Sequence, residues 1–359
     1  MSARGQTPVQ RTDAVPALGV QIEMRVKGRW IDVPAVDVNG EKLIARGKWL
    51  RTASVRGEAM MENELEDPEA YIENLNGSAK DVLRADIFTF TQKLPATNPK
   101  HAYPWEWESV AAIRLASFRE WWEGLPQETR KNVRRSQKRG VLIMVKGELD
   151  DELIRGIREV NNDTTVRQGT RNAYYGKSAE ETRKLYGEFV GRSDFICAYS
   201  DARLIGFLHL VYRGEIAAIL NLTAKPSQFD KRPANALVAK AVELCELKGI
   251  SHISYGLYNY GNKRGDPLRT FKIRNGFEEI LTPRYFVPLN WWGKLCIKGG
   301  LHRGLIGILP NFLIRVALRA RFLWYNVRVS RSGSIVERSS CKETVSSNLS
   351  AGSAKRESI

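Results

Sequence analysis

The chain has 359 residues, enough for two ordinary domains and too many for one small one. Apolar residues at 43% and charged residues at 27% fit a globular protein with a buried core and argue against a fibrous or wholly disordered chain. Lysine and arginine total 56 against 40 aspartate and glutamate, a net charge of +16, but residues 291–359 hold 12 of the bases and 3 of the acids, so the basicity belongs mostly to the C-terminal end.

The longest uncharged stretch of that end, Gly304 to Ile314, has 11 residues and contains Pro310, against the ~20 apolar residues of a spanning helix. Cys197, Cys245, Cys296 and Cys341 form no CxxC pair and have no close histidines, which argues against a metal site and a disulfide framework and for reduced thiols in the cytoplasm. The N-terminus lacks the apolar core of a secretory signal.

Residues 1–19 and 331–359 are rich in Ser, Gly, Pro, Thr and charge, show no apolar period and are expected to be disordered. From Ile22 to Val55 the chain reads as short extended segments, with Asn39-Gly40 as a hairpin turn. Asp67-Pro68 opens a short helix that stops near Gly77, and two extended runs follow at 86–94 and 107–116. Residues 117–140 read as a helix interrupted near Gly124 to Pro126 and closed by Gly140. Arg130, Lys131, Arg134, Arg135, Lys138 and Arg139 cover most of its circumference, either as a solvated face or as a wall that meets phosphates.

After a strand at Val141, helices are expected at 150–163 and 178–190, the second opened by a Ser178/Glu181 capping box. Three strands follow (DFICAYS, RLIGFLHLVY, EIAAILNL), then a helix from Pro233 to Gly249 with one apolar stripe. The strand ISHISYG, a Gly/Asn-rich loop, the short helix DPLRTFKIRNG and a strand pair around FEEILT and RYFVPL complete the series. An antiparallel meander followed by a β-α-β crossover predicts an α/β protein with one mixed sheet and helices on both faces. No Ser/His/Asp spacing or His-Glu-x-x-His motif occurs, and His209, mid-strand between Leu208 and Leu210, is expected to be structural.

This order of elements, together with TRKNVRRSQKRGV, the Phe271-Lys272 pair before Gly276 in DPLRTFKIRNGF, and TPRYFVPL, resembles the GNAT (N-acetyltransferase-like) superfamily. Within it the chain resembles the Fem-type aminoacyltransferases and the related acetyltransferase-like proteins of bacterial envelope polysaccharide systems. The resemblance implies tandem GNAT-like lobes: a truncated one at 20–116, a basic helical connector at 117–140 and a complete lobe at 141–289, followed by a basic amphipathic segment at 290–330. It implies direct transfer of an acyl or aminoacyl group, from acyl-coenzyme A or aminoacyl-tRNA, to an amine-bearing small molecule or amino sugar, with no metal.

Coenzyme A-using lobes carry a glycine-rich loop before the helix that follows the central strand, whose N–H groups cradle the pyrophosphate. Here the loop reads QFDKRPANAL, without glycine and with Pro233 removing one donor, so both acyl donors stay open. Lys231, Arg232 and Asn235 are the candidates to meet a donor phosphate, and Asn221 and Thr223 mark where the central strand splays from ISHISYG. By resemblance Lys272 faces the same cleft and neutralises charge on the donor or the tetrahedral intermediate, Tyr258 protonates the leaving group, and Asn259 orients the carbonyl or the amine.

Two other readings stay open: a non-catalytic GNAT-like scaffold, and an anionic-ligand protein that puts its basic helix on nucleic acid. Otherwise nucleic acid is expected only as an aminoacyl-tRNA donor. From Trp291 to Val336 eight bases and no acid alternate with aromatic and aliphatic residues, the pattern of a helix on an anionic membrane surface, with packing across the lobes or contact with nucleic acid as the alternatives. The expected location is therefore cytoplasmic, with peripheral attachment to the inner membrane face.

Overall fold

The computed structural model describes residues 19–26, 29–57, 64–65, 67–167, 170–259 and 267–303. The tails expected to be disordered lie essentially outside this set, as does the expected membrane segment beyond 303.

The chain begins with β1 Val20–Val26, β2 Arg29–Val38, β3 Glu41–Arg46 and β4 Thr52–Val55. The β2–β3 turn places Asn39 (φ 55°) and Gly40 (φ 81°) in the left-handed region, which suits the twist of a two-residue hairpin. Helix α1, Pro68–Asn76, is capped by Asp67, whose Oδ1 accepts from Ala70 N–H; α2 is Lys80–Leu83. Next come β5 Ile87–Thr91, β6 Trp105–Arg114, α3 Phe118–Gly124 and α4 Gln127–Lys138, the helices separated at Leu125-Pro126. Then follow β7 Leu142–Lys146, α5 Asp151–Asn162, the two-residue strands β8 Val166–Arg167 and β9 Thr170–Arg171, and α6 Ala179–Tyr186 with the expected capping box. The remainder is β10 Ser193–Ser200, β11 Arg203–Arg213, β12 Ile216–Ala224, a 3-10 turn at Pro226–Lys231, α7 Pro233–Leu247, β13 His252–Leu257, α8 Pro267–Arg274, β14 Glu278–Pro288 and α9 Trp291–Lys298.

All strands except β8 and β9 form one twelve-stranded sheet, ordered β1-β2-β3-β4-β5-β14-β6-β13-β12-β11-β10-β7. Among the described residues only β4/β5 and β12/β13 pair in parallel, so the sheet is mixed as expected. Side chains alternate across it: Leu208 and Leu210 of β11 pack with α7, while Phe207, just before them, packs with α5 and Tyr186. Each fully buried Leu or Val on such a face contributes about 1.5–3 kcal/mol.

Two expectations change. FEEILT and RYFVPL are one strand, β14, not a pair. Pro283 is tolerated inside it because its carbonyl accepts from Gln92 N–H, so its missing donor also points to that side, beyond the end of β5, and the β6 ladder loses nothing. The lobes drawn at 20–116 and 141–289 also interleave. β14 crosses to lie between β5 and β6, and β6 pairs with β13, so the sheet has no break between them.

Residues 291–303 dock on this sheet. Gly293 lies so close to the Asp86 carbonyl that no Cβ would fit, Trp292 Nε1 donates to Trp49 O (3.1 Å), and His302 and Arg303 meet Glu106 Oε1 at 2.7 and 2.9 Å. Among the described residues no helix is long and apolar enough to cross a membrane.

Candidate active site

The parallel ladder between β12 and β13 has three rows, Ile216–His252, Ala217–Ile253 and Ala218–Ser254, and then stops although both strands continue. Each strand bulges where the ladder ends. On β12, Asn221 pairs with His209 and Ile219 with Leu210, leaving Leu220 as the extra residue. On β13, Ser254 pairs with Ala112 and Leu257 with Val110, so Tyr255 and Gly256 together oppose Ala111. Gly256 has φ 58°, a conformation that costs glycine nothing. An extra residue bends its strand, so two bulges at one height part the sheet.

The parting leaves donors unused. Lys225 N–H bonds to Ile205 O on β11, and bonding direction alternates along a strand, so Thr223 also faces β11 while the N–H groups of Leu222 and Ala224 face the gap. The gap opens into a cavity of about 600 Å³ lined by Arg167, Tyr174, Leu222, Thr223, Tyr255 and Phe271, among others. Arg167 Nη1 donates to Thr223 Oγ1 and Nη2 to Val160 O, both at 3.1 Å. Burial presses its pKa below the ordinary arginine value. Buried Asn172 holds the adjoining segment: its Nδ2 donates to Asn161 O and Thr164 O, and its Oδ1 accepts from Tyr174 N–H.

Lys272 does not face this cleft. Its side chain is wholly buried, and Nζ donates to Tyr255 O (2.6 Å) and Leu257 O (2.7 Å) while lying 4.6 Å from the Tyr255 ring centroid. The bulge turns two carbonyls out of the ladder, and an ammonium satisfies both. Lys272 therefore pins the bulge behind Tyr255, which itself lines the cavity.

Thr223 is on the cavity wall, whereas Asn221 sits two rows below it opposite His209. His209 is buried, stacked on Phe195 at 4.2 Å, and burial drives its pKa down to about 4, so the ring is neutral at pH 7; its Nε2 has no hydrogen-bond partner. Tyr258 is packed in the core under the Arg269 guanidinium (5.1 Å), off the wall. Exposed Asn259 turns toward β14, where its Nδ2 donates to Glu279 Oε1 (2.8 Å).

The three residues expected to meet a phosphate separate. Lys231 Nζ reaches away to Ser200 Oγ (2.7 Å) and Asp201 Oδ2 (3.6 Å). Arg232 and Asn235 line a second cavity of about 400 Å³ with Asn132 and Arg274, and Phe271 borders both cavities. Asn235 Nδ2 is bonded to Asn275 Oδ1 (3.0 Å), and Arg232 takes φ 56° before Pro233, so α7 begins without a phosphate-cradling loop. The basic helix α4 is not solvated all round: Thr129, Val133 and Ser136 are buried, and Thr129 Oγ1 donates to Arg274 O (2.8 Å).

Arg167, Arg171 and Tyr174 were not singled out from the sequence. The signal was the unbroken polar, basic and aromatic run VRQGTRNAYYG between two helices, where no apolar period explains the residues. Among the described residues no cluster of three or more His, Cys, Asp or Glu could hold a metal ion. Cys197, Cys245 and Cys296 are free and buried, and burial pushes the first two thiols up to about 12.

No protein-family model matches the chain, and no curated protein sequence matches it. Solved structures do. The C-terminal domain of a putative lysylphosphatidylglycerol synthetase from Agrobacterium fabrum aligns with TM-score 0.51 and 12% identity, over 77% of this chain and 91% of that one. FemX aligns with TM-score 0.51 and 11% identity, over 76% and 89%. The chain has the FemX fold. L-PGS from Bacillus licheniformis shares it, with TM-score 0.50 and 13% identity over 77% and 89%. The Fem-type architecture expected from the sequence is thus the architecture of the chain.

Proposed function

We propose that the chain is an N-acyltransferase of the Fem type, which moves an acyl or aminoacyl group from an activated donor directly to an amine of a cell-envelope acceptor. The observation that carries this reading is the opened sheet: Leu222 and Ala224 N–H face a cavity large enough for an acyl group, with no ladder partner on that side. Aimed at an acyl carbonyl, they stabilise the oxygen charge that develops as the amine attacks. The C–N bond forms, the C–O bond of an aminoacyl ester (or C–S bond of a thioester) breaks, and the proton leaving the amine ends on the departing oxygen or sulfur. Thr223 and Arg167 border the carbonyl, and Lys272 holds the bulge that keeps the strands apart.

Aminoacyl-tRNA is favoured over acyl-coenzyme A, because α7 starts with a left-handed Arg232 and a proline instead of a glycine loop. Arg232, Asn235 and Arg274 then meet a donor phosphate through side chains at the second cavity. Attachment to an anionic membrane is supported by α9, whose outward face carries Trp291, Lys294, Leu295 and Lys298. Flotation with phosphatidylglycerol vesicles should weaken in a Trp291→Ala/Leu295→Ala variant, and unchanged flotation removes the attachment.

The reaction is tested by mass spectrometry of products from charged tRNA or acetyl-coenzyme A with glucosamine as acceptor. Ala224→Pro deletes one gap-facing donor and no ladder bond, so it should lower kcat by about 10²–10³ with the fold intact. Thr223→Pro removes a bond to β11 and should unfold that edge instead. Full activity in Ala224→Pro, or no product from either donor with the wild type, rejects the reading.

A further inference from the structure

We infer that the exposed tryptophan pair Trp105 and Trp107 forms a sugar-binding platform for the acceptor, which identifies that acceptor as an amino-sugar glycan; the inference rests on the acyltransferase reading above. Trp105 and Trp107 lie on the face of β6 opposite Glu106 and Glu108, 39% and 49% exposed, with ring centroids 4.6 Å apart in a T-shaped arrangement. Exposed tryptophans of that size need a reason, since each leaves a large apolar surface in water. On the same face Leu281 of β14, 43% exposed, stands across from Ser109 and extends the apolar strip.

The strip ends in a polar cluster. Glu279 Oε1 accepts from Ser109 Oγ (2.6 Å) and from Asn259 Nδ2 (2.8 Å). From Trp105 to Ser109 is four residues, about 14 Å, the length of two or three pyranose rings. A pyranose lays its C–H face on an indole and sends hydroxyl or amino groups to its rim. A carboxylate at the rim of a chain that is otherwise basic selects a positively charged amine and repels an anionic lipid.

The platform adjoins the proposed transfer site. Counting up from the row Ala218–Ser254–Ala112 and leaving out the extra residue Leu220, Leu222 and Ala224 stand about level with Ser109 and Trp107, at the inner end of the platform. β6 is two strands from β12, about 10 Å plus the width of the gap, so one acceptor can rest on the tryptophans and present an amine to the carbonyl.

The test is calorimetric titration of the full chain, without donor, with a glucosamine trimer and an N-acetylglucosamine trimer. The glucosamine trimer should bind saturably. Trp105→Ala and Trp107→Ala should each weaken it about tenfold or more, and Glu279→Gln should erase the preference for the free amine. No binding by the wild type, or wild-type binding by Trp107→Ala, overturns the platform. A second readout needs no variant: the trimer should shield Trp105 and Trp107 from N-bromosuccinimide oxidation while Trp49 and Trp291 react as before, and equal oxidation of all four overturns it. Because binding is read without transfer, a failed platform is distinguishable from a failed acyltransferase reading.

Discussion

The two parallel strand pairs of the sheet are built alike and end differently. β4 and β5 share two rows, Thr52–Ile87 and Ala53–Phe88, and are joined through α1 and α2; β12 and β13 share three rows and are joined through α7. Around β4 and β5 the antiparallel ladders to β3 and β14 run without a register shift, and the adjoining face is filled by Tyr71, Phe88, Phe90 and Tyr285, with Phe90 and Tyr285 stacked at 4.9 Å. Around β12 and β13 both outer ladders shift, and a cavity stands where the rings would be. A short parallel pair is therefore not enough to make a site. Paired bulges, with something to hold them, make one.

That comparison breaks most visibly at Lys272. Lys272→Met keeps the volume but leaves the Tyr255 and Leu257 carbonyls buried without their ammonium, at a cost of roughly 3–5 kcal/mol. The thermal midpoint should fall by roughly 5–10 °C, with transfer lost as the gap collapses. A lysine acting on the intermediate alone would instead abolish transfer at an unchanged midpoint.

Acid sharpens the contrast by a smaller margin. His209 lies under the β12 bulge with a folded pKa near 4, below its unfolded value of 6.5. Between these values the unfolded chain binds more protons, so stability should fall as pH drops from about 6.5 to 4, by on the order of 3 kcal/mol, and fall no further from this residue below 4. His209→Phe should flatten that part of the pH–stability curve, and an identical curve contradicts the assignment. At the far end, Gly40→Ala keeps open space but puts a Cβ at φ 81°. It should cost about 1 kcal/mol in a denaturant titration and leave transfer unchanged; a drop in activity would mean the two halves are coupled.

Local signals were legible in the sequence. Asn39-Gly40, Asp67-Pro68, the Ser178/Glu181 box and Pro233 each act on their own neighbours, so turns, caps and the mixed sheet could be read directly. The bulges could not, because Ile-Leu-Asn-Leu reads as an ordinary apolar strand run and Leu220 becomes extra only against β11. Gly256 inside ISHISYG was the available hint. Lys272 reads as a last-turn cation of a short helix, and its burial follows from carbonyls that β13 turns outward 15 and 17 residues earlier. The strand exchange of β6 and β14 is likewise a tertiary fact: each strand looks complete within its own stretch of sequence.

Hydrogen exchange of the peptide spanning 219–224 tests the opened sheet most directly. It should be followed with and without an amide-linked alanyl-adenosine mimic of the tRNA 3′ end, and with acetyl-coenzyme A. Leu222 and Ala224 amides should exchange fast in the free protein, while Thr223, bonded to β11, stays protected, and one of the two probes should slow the fast pair. Slow exchange at Leu222 and Ala224 in the free protein, or no protection by either probe, contradicts the account.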